Sequence, residues 1–213
     1  MKTGFPPGLM LITDRAQARR PLPEIVEAAL AAGFAAVMLR EKDLGGRETY
    51  ELAESLLAVC SRYARPLLIN DRLDVALSLP GVGAHVGKAG IPVADARRLL
   101  GAERLLGYSA HDAEEARAAL ADGADYVTLS PVFPSASKAD YAARGLDWLR
   151  EACAALPAGR VIALGGISAV TLPEVRGAGA AGAAIMGEMM RAEYPGRTAG
   201  EMVRAFLSFP PTV

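Results

Sequence analysis

Apolar residues along this chain fall into short dense runs, separated by longer stretches in which they recur every three or four positions. The dense runs lie at Leu9–Ile12, Ala36–Leu39, Leu67–Ile69, Val82–Val86, Arg104–Gly107, Tyr126–Leu129, Val161–Leu164 and Ala183–Met186. Continuous apolar runs of this length suit strands buried on both faces, the condition of a parallel sheet. The intervening stretches have helical period. PEIVEAALAAG (23–33) puts Ile25, Val26, Ala29 and Leu30 on one face and closes on Gly33, a C-terminal stop. RETYELAESLLAVCSRY, VADARRLLG, DAEEARAALADG, LDWLREACAAL, LPEVRGAG and AGEMVRAFLSF behave alike, and Leu73–Ser78 makes a shorter segment.

Eight strand–helix units with no change of composition between them predict an α/β fold: a single (β/α)8 TIM barrel of parallel strands, one domain over residues 1–213. The segment SPVFPSASKADYAARG (130–145) is the one long irregular connection, and a loop of that length in a compact domain is usually functional. A net charge of −1 gives no reason to expect a nucleic-acid partner. The N-terminal stretch MKTGFPPGLMLITDR has too short an apolar run for a signal peptide or a membrane span, so a cytoplasmic protein without a membrane partner is expected. Cys60 and Cys153 match no metal or redox spacing and read as small apolar residues of a reducing compartment. The oligomeric state, a homo-oligomer included, stays open.

In a barrel of this kind the chemistry sits at the C-terminal strand ends. LREKD (39–43) sends Arg40 and Lys42 to the same side of the second strand's exit, which suits a polyphosphate or, equally, a solvated charge run. Asn70 and Asp71 end the third strand, either as a helix cap or as a grip on a ligand or metal. Lys88 follows the fourth strand. YSAH (108–111) brings Ser109 and His111 to the fifth, where a histidine can serve as acid or base or merely as a satisfied polar group. His85, within the fourth strand, reads as structural. PSASK (134–138) offers Ser135, Ser137 and Lys138 to an anion, although such residues also fill ordinary loops. ALGGIS (163–168) leads into Gly165 and Gly166, with Ser168 as a candidate N-cap, and Met186–Gly187 ends the eighth strand. Glycines there let backbone N–H groups reach a phosphate; a tight turn without a ligand is the plain alternative.

Taken together, REK (40–42), IND (69–71), HVGK (85–88), SAH (109–111), GADYVTLSPVFPSASK (123–138), RGL (144–146) and GGIS (165–168) resemble the thiamine phosphate synthase and thiazole tautomerase family, collinearly over nearly the whole chain. The resemblance implies a (β/α)8 barrel acting on phosphorylated pyrimidine and thiazole substrates with Mg2+. It implies that Arg40, Lys42 and Asn70 hold a pyrimidine diphosphate, that Asp71 binds magnesium, and that Ser109 faces the pyrimidine. Lys138 would meet the phosphates, Ser135 and Ser137 the thiazole, and Gly166, Met186 and Gly187 the thiazole phosphate. Two departures stand out. The family's Q-x-R-x-K has Met38 in place of glutamine, and its H-x-G-Q-x-D appears as HVGKAG, with Lys88 for glutamine and Gly90 for the second metal-binding aspartate. Lys88 would then lend its charge to the diphosphate. Transfer of the pyrimidine is the first expectation. The alternatives are an isomerase of the thiazole carboxylate phosphate, with His111 as acid and base, and a non-catalytic paralogue that binds thiazole or thiamine phosphate.

Overall fold

The computed structural model describes residues 5–135 and 142–209. Eight strands, β1 (Gly8–Ile12), β2 (Ala36–Leu39), β3 (Leu67–Asn70), β4 (Gly83–Val86), β5 (Leu106–Ala110), β6 (Tyr126–Leu129), β7 (Val161–Leu164) and β8 (Gly182–Ile185), pair in chain order, all parallel. β8 closes on β1, with Met10 opposite Ala184 on one side and Ala36 on the other. The helices between them are α1 (Leu22–Ala32), α2 (Gly46–Arg62), α3 (Leu73–Ser78), α4 (Val93–Leu100), α5 (Ala113–Ala121), α6 (Gly145–Ala155) and α7 (Leu172–Gly177). The fold is the closed (β/α)8 barrel that the alternation of periods predicts. After β8 come two helices, the single turn α8 (Gly187–Met190) and then α9 (Pro195–Leu207), which packs against α1 and α7. Among the described residues no helix is long and apolar enough to cross a membrane.

Strand alternation sorts side chains into two cores. On β2, Val37 and Leu39 face the helices while Ala36 and Met38 face the lumen; on β3, Leu67 and Ile69 face outward and Leu68 inward. The lumen is itself divided. Met10, Ile12, Met38, Leu68, Ile162 and Ala184 make an apolar wall from β1–β3, β7 and β8. Under β4–β6 the inward positions are His85, Gly107, Ser109, Tyr126 and Thr128, a polar seam in which His85, Tyr126 and Thr128 are at most 1 % exposed. Every buried side-chain nitrogen and oxygen among the described residues has a hydrogen-bond partner.

The fifth strand starts later than its apolar run suggests, at Leu106 instead of Arg104, and it extends through Ser109 to Ala110. Arg104 belongs to the preceding turn. Its guanidinium donates to the Ala76 carbonyl at 2.8 Å, and its own carbonyl accepts from Arg97 at 2.9 Å. Arg97 also meets Asp125 at 2.7 Å, and the same Asp125 oxygen takes the Leu106 N–H at 2.7 Å, which pins the start of the strand. Ser109 is polar because it faces the seam.

Gly107 makes the seam possible. A Cβ at this position would collide with the Tyr126 ring and with His85 Nδ1. Gly107→Ala is therefore expected to destabilise the barrel by about 1–3 kcal/mol or more, the range for overpacking a filled core. Urea unfolding with an unchanged midpoint would show instead that the lumen relaxes around a methyl group.

Candidate active site

At the exit of β2 the three charged residues divide their work. Glu41 turns inward: its side chain is 2 % exposed, accepts the Thr13 hydroxyl at 2.7 Å and takes the Arg15 backbone N–H at 3.0 Å. Thr13 Oγ1 in turn accepts the Arg40 N–H at 3.0 Å. The first and second strand ends are thus tied together through a carboxylate with charge-assisted hydrogen bonds. Arg40 stays half-buried and Lys42 exposed. Glu41 is a clamp on the loop that carries the two cations, and its pairing with Thr13 and Arg15 is not visible in sequence spacing.

Asn70 and Asp71 do not cap the next helix. Arg72 occupies the N-cap of α3, with no side-chain cap. Asp71 adopts a left-handed backbone, φ 58°, a conformation tolerated by aspartate yet uncommon outside glycine. Its N–H donates to the His85 carbonyl of β4 at 2.9 Å, and one carboxylate oxygen accepts the Asn70 amide at 2.8 Å. Its other oxygen faces the β4 exit, where a Cβ at position 90 would stand 3.2 Å away. Gly90 closes a turn onto Gly87, and Lys88 between them is exposed. Among the described residues no group of three or more His, Cys, Asp or Glu side chains is placed to hold a metal ion. The donor set therefore fits a hard cation only as one carboxylate oxygen added to ligands from a substrate diphosphate and water, a common arrangement for magnesium.

On β5, Ser109 lies half-buried at the top of the polar seam. His85 Nε2 is 2.8 Å from its hydroxyl oxygen, and His85 Nδ1 is 3.0 Å from the Tyr126 hydroxyl. The residue that the sequence marked as structural is thus in contact with a candidate site residue; the available signal was its inward position, two residues before Gly87. Burial pushes the imidazole down to about 3, so it is neutral near pH 7. His111 is drawn toward α5 instead. Its N–H and Nδ1 lie 2.8 and 3.2 Å from the same Glu115 oxygen, while Tyr108 donates to the other at 2.7 Å. Burial alone would raise the Glu115 carboxyl, but the hydrogen bonds from Tyr108 and His111 outweigh it and hold the group below its usual range.

The connection after β6 is closed at its base. Arg144 and Gly145 donate backbone hydrogen bonds to Pro131 and Val132 at 3.0 and 2.9 Å. Its first residues run along the end of β7: the Val132 and Phe133 N–H groups bond the Leu164 and Gly165 carbonyls, both at 3.0 Å. Ser135 is half-buried on this flank; Ser137 and Lys138 lie outside the described residues. Gly165 and Gly166 have φ of 102° and 62° and sit against the flank, where a Cβ would stand 2.8 Å from Pro131 Cα or 2.7 Å from Phe133 Cβ. The pair thus has a packing reason to be glycine, and Gly166 remains exposed at the mouth. Ser168 is not a cap. It begins a turn whose N–H bonds Thr171 Oγ1 at 3.0 Å, and the helix starts only at Leu172, too far on for its dipole to serve the glycines. At β8, Met186 and Gly187 stand at the mouth as expected. Arg191 covers Gly187 and bonds the Gln17 side chain, a cation next to the glycine exit that sequence spacing does not reveal.

Known proteins resemble this chain in sequence and in fold. Residues 9–189 match the family model described as thiamine monophosphate synthase. The putative thiamine-phosphate synthase of Geobacter sulfurreducens is 44 % identical over 205 residues, covering 95 % of this chain and 94 % of that protein. The thiamine-phosphate synthase of Syntrophomonas wolfei is 42 % identical over 186 residues, covering 86 % and 88 %. The solved structure of thiamine phosphate pyrophosphorylase from Pyrococcus furiosus superposes with a TM-score of 0.87 at 30 % identity, over 96 % of this chain and 97 % of that one.

Two outcomes are expected of these groups. The unfolded chain protonates His85 near pH 6.5 and the folded chain only near 3, so stability falls as pH drops through this window. The slope should reach about 1.4 kcal/mol per pH unit for this one proton. Denaturant midpoints measured from pH 7 to 4 should show that slope in the wild type and a flatter one in His85→Gln. Gly90→Asp puts a second carboxylate beside Asp71, so magnesium binding by calorimetry should tighten roughly tenfold or more over wild type. Unchanged binding would show that the two positions do not share an ion.

Proposed function

The chain belongs to the thiamine monophosphate synthase family, and from that premise we propose that it joins a hydroxymethylpyrimidine diphosphate to a thiazole phosphate and releases pyrophosphate. One observation carries most of the weight. The β3 exit holds an amide and a carboxylate side by side at the mouth, neither of them a helix cap, between the cations of β2 and the hydroxyl of β5. That arrangement suits a substrate with a diphosphate at one end and a heteroaromatic ring at the other.

In this reading the bond between the pyrimidine methylene carbon and the diphosphate oxygen breaks, with its electron pair leaving on the diphosphate. The thiazole nitrogen then supplies the pair that forms the new carbon–nitrogen bond. Negative charge grows on the leaving group, so Arg40, Lys42, Lys88 and Lys138 act by stabilising it where it develops. Asn70 positions the diphosphate, and Asp71 would be the protein's ligand to a Mg2+ ion. Such an ion would supply further charge neutralisation. Ser109 orients the pyrimidine, Ser135 and Ser137 flank the thiazole, and Gly165, Gly166, Met186 and Gly187 accept its phosphate. No covalent nucleophile is needed. The two thiols are unsuited to the role, since burial pushes both Cys60 and Cys153 up to about 12. We read the whole chain as one cytoplasmic barrel domain that binds small molecules and no nucleic acid.

The test is incubation of the purified chain with both substrates, with and without magnesium, and detection of thiamine phosphate. Product is expected with magnesium. Conversion of the thiazole carboxylate phosphate alone, blocked by His111→Ala, would favour the isomerase, and binding without turnover the non-catalytic paralogue. Arg40→Ala should lower kcat/KM roughly a hundredfold or more, the scale of losing one preorganised charge partner.

A further inference from the structure

Beneath Ser109 the barrel lumen holds two polar residues, His85 and Tyr126, that the proposed reaction does not use. His85 is 1 % exposed, with Tyr126 Oη at 3.0 Å from one ring nitrogen and Ser109 Oγ at 2.8 Å from the other. Tyr126 is fully buried, its ring 4.5 Å from that of Phe5, and the cluster to which it belongs is otherwise apolar. Only the glycine at 107 leaves room for the two rings to meet.

Satisfying each hydrogen bond selects one tautomer. If Nδ1 carried the imidazole proton it would donate to Tyr126 Oη, and the phenolic proton would have no acceptor among the described residues. If Tyr126 donates to a bare Nδ1, every group is matched, and the imidazole proton resides on Nε2. Leaving a buried hydroxyl proton unmatched is costly enough to bias the two forms by about tenfold or more. Nε2–H then donates to Ser109 Oγ, which Thr128 Oγ1 also approaches at 3.5 Å. With its acceptor side occupied from below, the Ser109 hydroxyl is left to donate upward, into the mouth beside Gly87.

We propose that Tyr126 and His85 are positioning residues: Tyr126 fixes the Nε2–H tautomer of His85, and His85 thereby makes Ser109 a hydrogen-bond donor to an acceptor nitrogen of the heteroaromatic substrate. The proposal rests on the reading that Ser109 touches the pyrimidine. The low basicity of the buried ring agrees with it, because a neutral imidazole holds its tautomer across the working pH range and moves no proton to the substrate.

Two measurements on the full chain test it. The chain has two histidines, so two-bond proton–nitrogen correlation spectra of the 15N-labelled protein, with His111→Gln for assignment, read the His85 tautomer directly. Protonated Nε2 and bare Nδ1 are expected in the wild type; protonated Nδ1 would overturn the proposal. The second measurement is kcat/KM for wild type, Tyr126→Phe, Ser109→Ala and the double variant, with melting temperatures alongside. Tyr126→Phe is expected to lose about tenfold, and the double variant to be no slower than Ser109→Ala alone. Losses that multiply, or a Tyr126→Phe variant that melts earlier but turns over normally, would make the two residues a packing feature and overturn it. His85→Gln, whose amide can still donate to Ser109, should recover part of the rate lost in His85→Leu. If the wild type forms no product although Nε2 is protonated, the functional reading fails and takes the role of Ser109 with it. If product forms and Nδ1 is protonated, only this proposal fails.

Discussion

Closing eight parallel strands on one another leaves a lumen too narrow for anything but side chains, and every inward-facing position must help to fill it. That constraint governs the rest of this molecule. It is why Gly107 has no side chain, why Met38 can pack deep in the wall, and why a histidine and a tyrosine inside the barrel must bond one another. The same closure fixes the order of the strand ends around the mouth. Residues far apart in the chain, such as Asp71 and Gly90 or His85 and Ser109, become neighbours because β3, β4 and β5 are adjacent.

The lumen's division into an apolar wall and a polar seam has a chemical counterpart at the mouth. The cations leave β2, the amide and carboxylate leave β3, and the hydroxyl leaves β5, while the glycine exits lie across the barrel on β7 and β8. A substrate spanning the opening would have charge neutralised at one side, its ring met by Ser109, and a second phosphate received by backbone opposite. Position 90, where the resemblance leads one to expect an aspartate, is a glycine in this chain. With glycine there, Asp71 shares its carboxylate with Asn70 alone among the contacts described.

Much of this was legible in the sequence. The alternation of dense apolar runs with helical periods identified all eight strands, because burial on both faces leaves no other pattern. The strand-end residues followed once a barrel was assumed. What could not be read were pairings across the fold. Glu41 looks like part of a charge run, yet it is buried by Thr13 and Arg15, which lie 28 and 26 residues away. His85 reads as structural, and its burial agrees, but its partners Tyr126 and Ser109 appear only once the strands are side by side. Arg104 looks like the start of a strand because the run that follows is apolar, whereas its side chain is spent on the turn. Ser168 has the chemistry of a cap, but Thr171 claims its backbone first. Local propensity says what a residue can do, and the competing partner decides what it does.

The contact between the sixth connection and the end of β7 ties two segments of the chain into one heritable unit. Gly165 and Gly166 lie against Pro131 and Phe133 so closely that neither side can change its backbone path without the other. The base of the connection is separately fastened by the Arg144 and Gly145 hydrogen bonds. Recombination between relatives would therefore succeed when 130–145 and 163–168 travel together, and a graft of the loop alone would meet the wrong shoulder. A cassette that keeps this contact whole would have its breakpoints in α5 and α7.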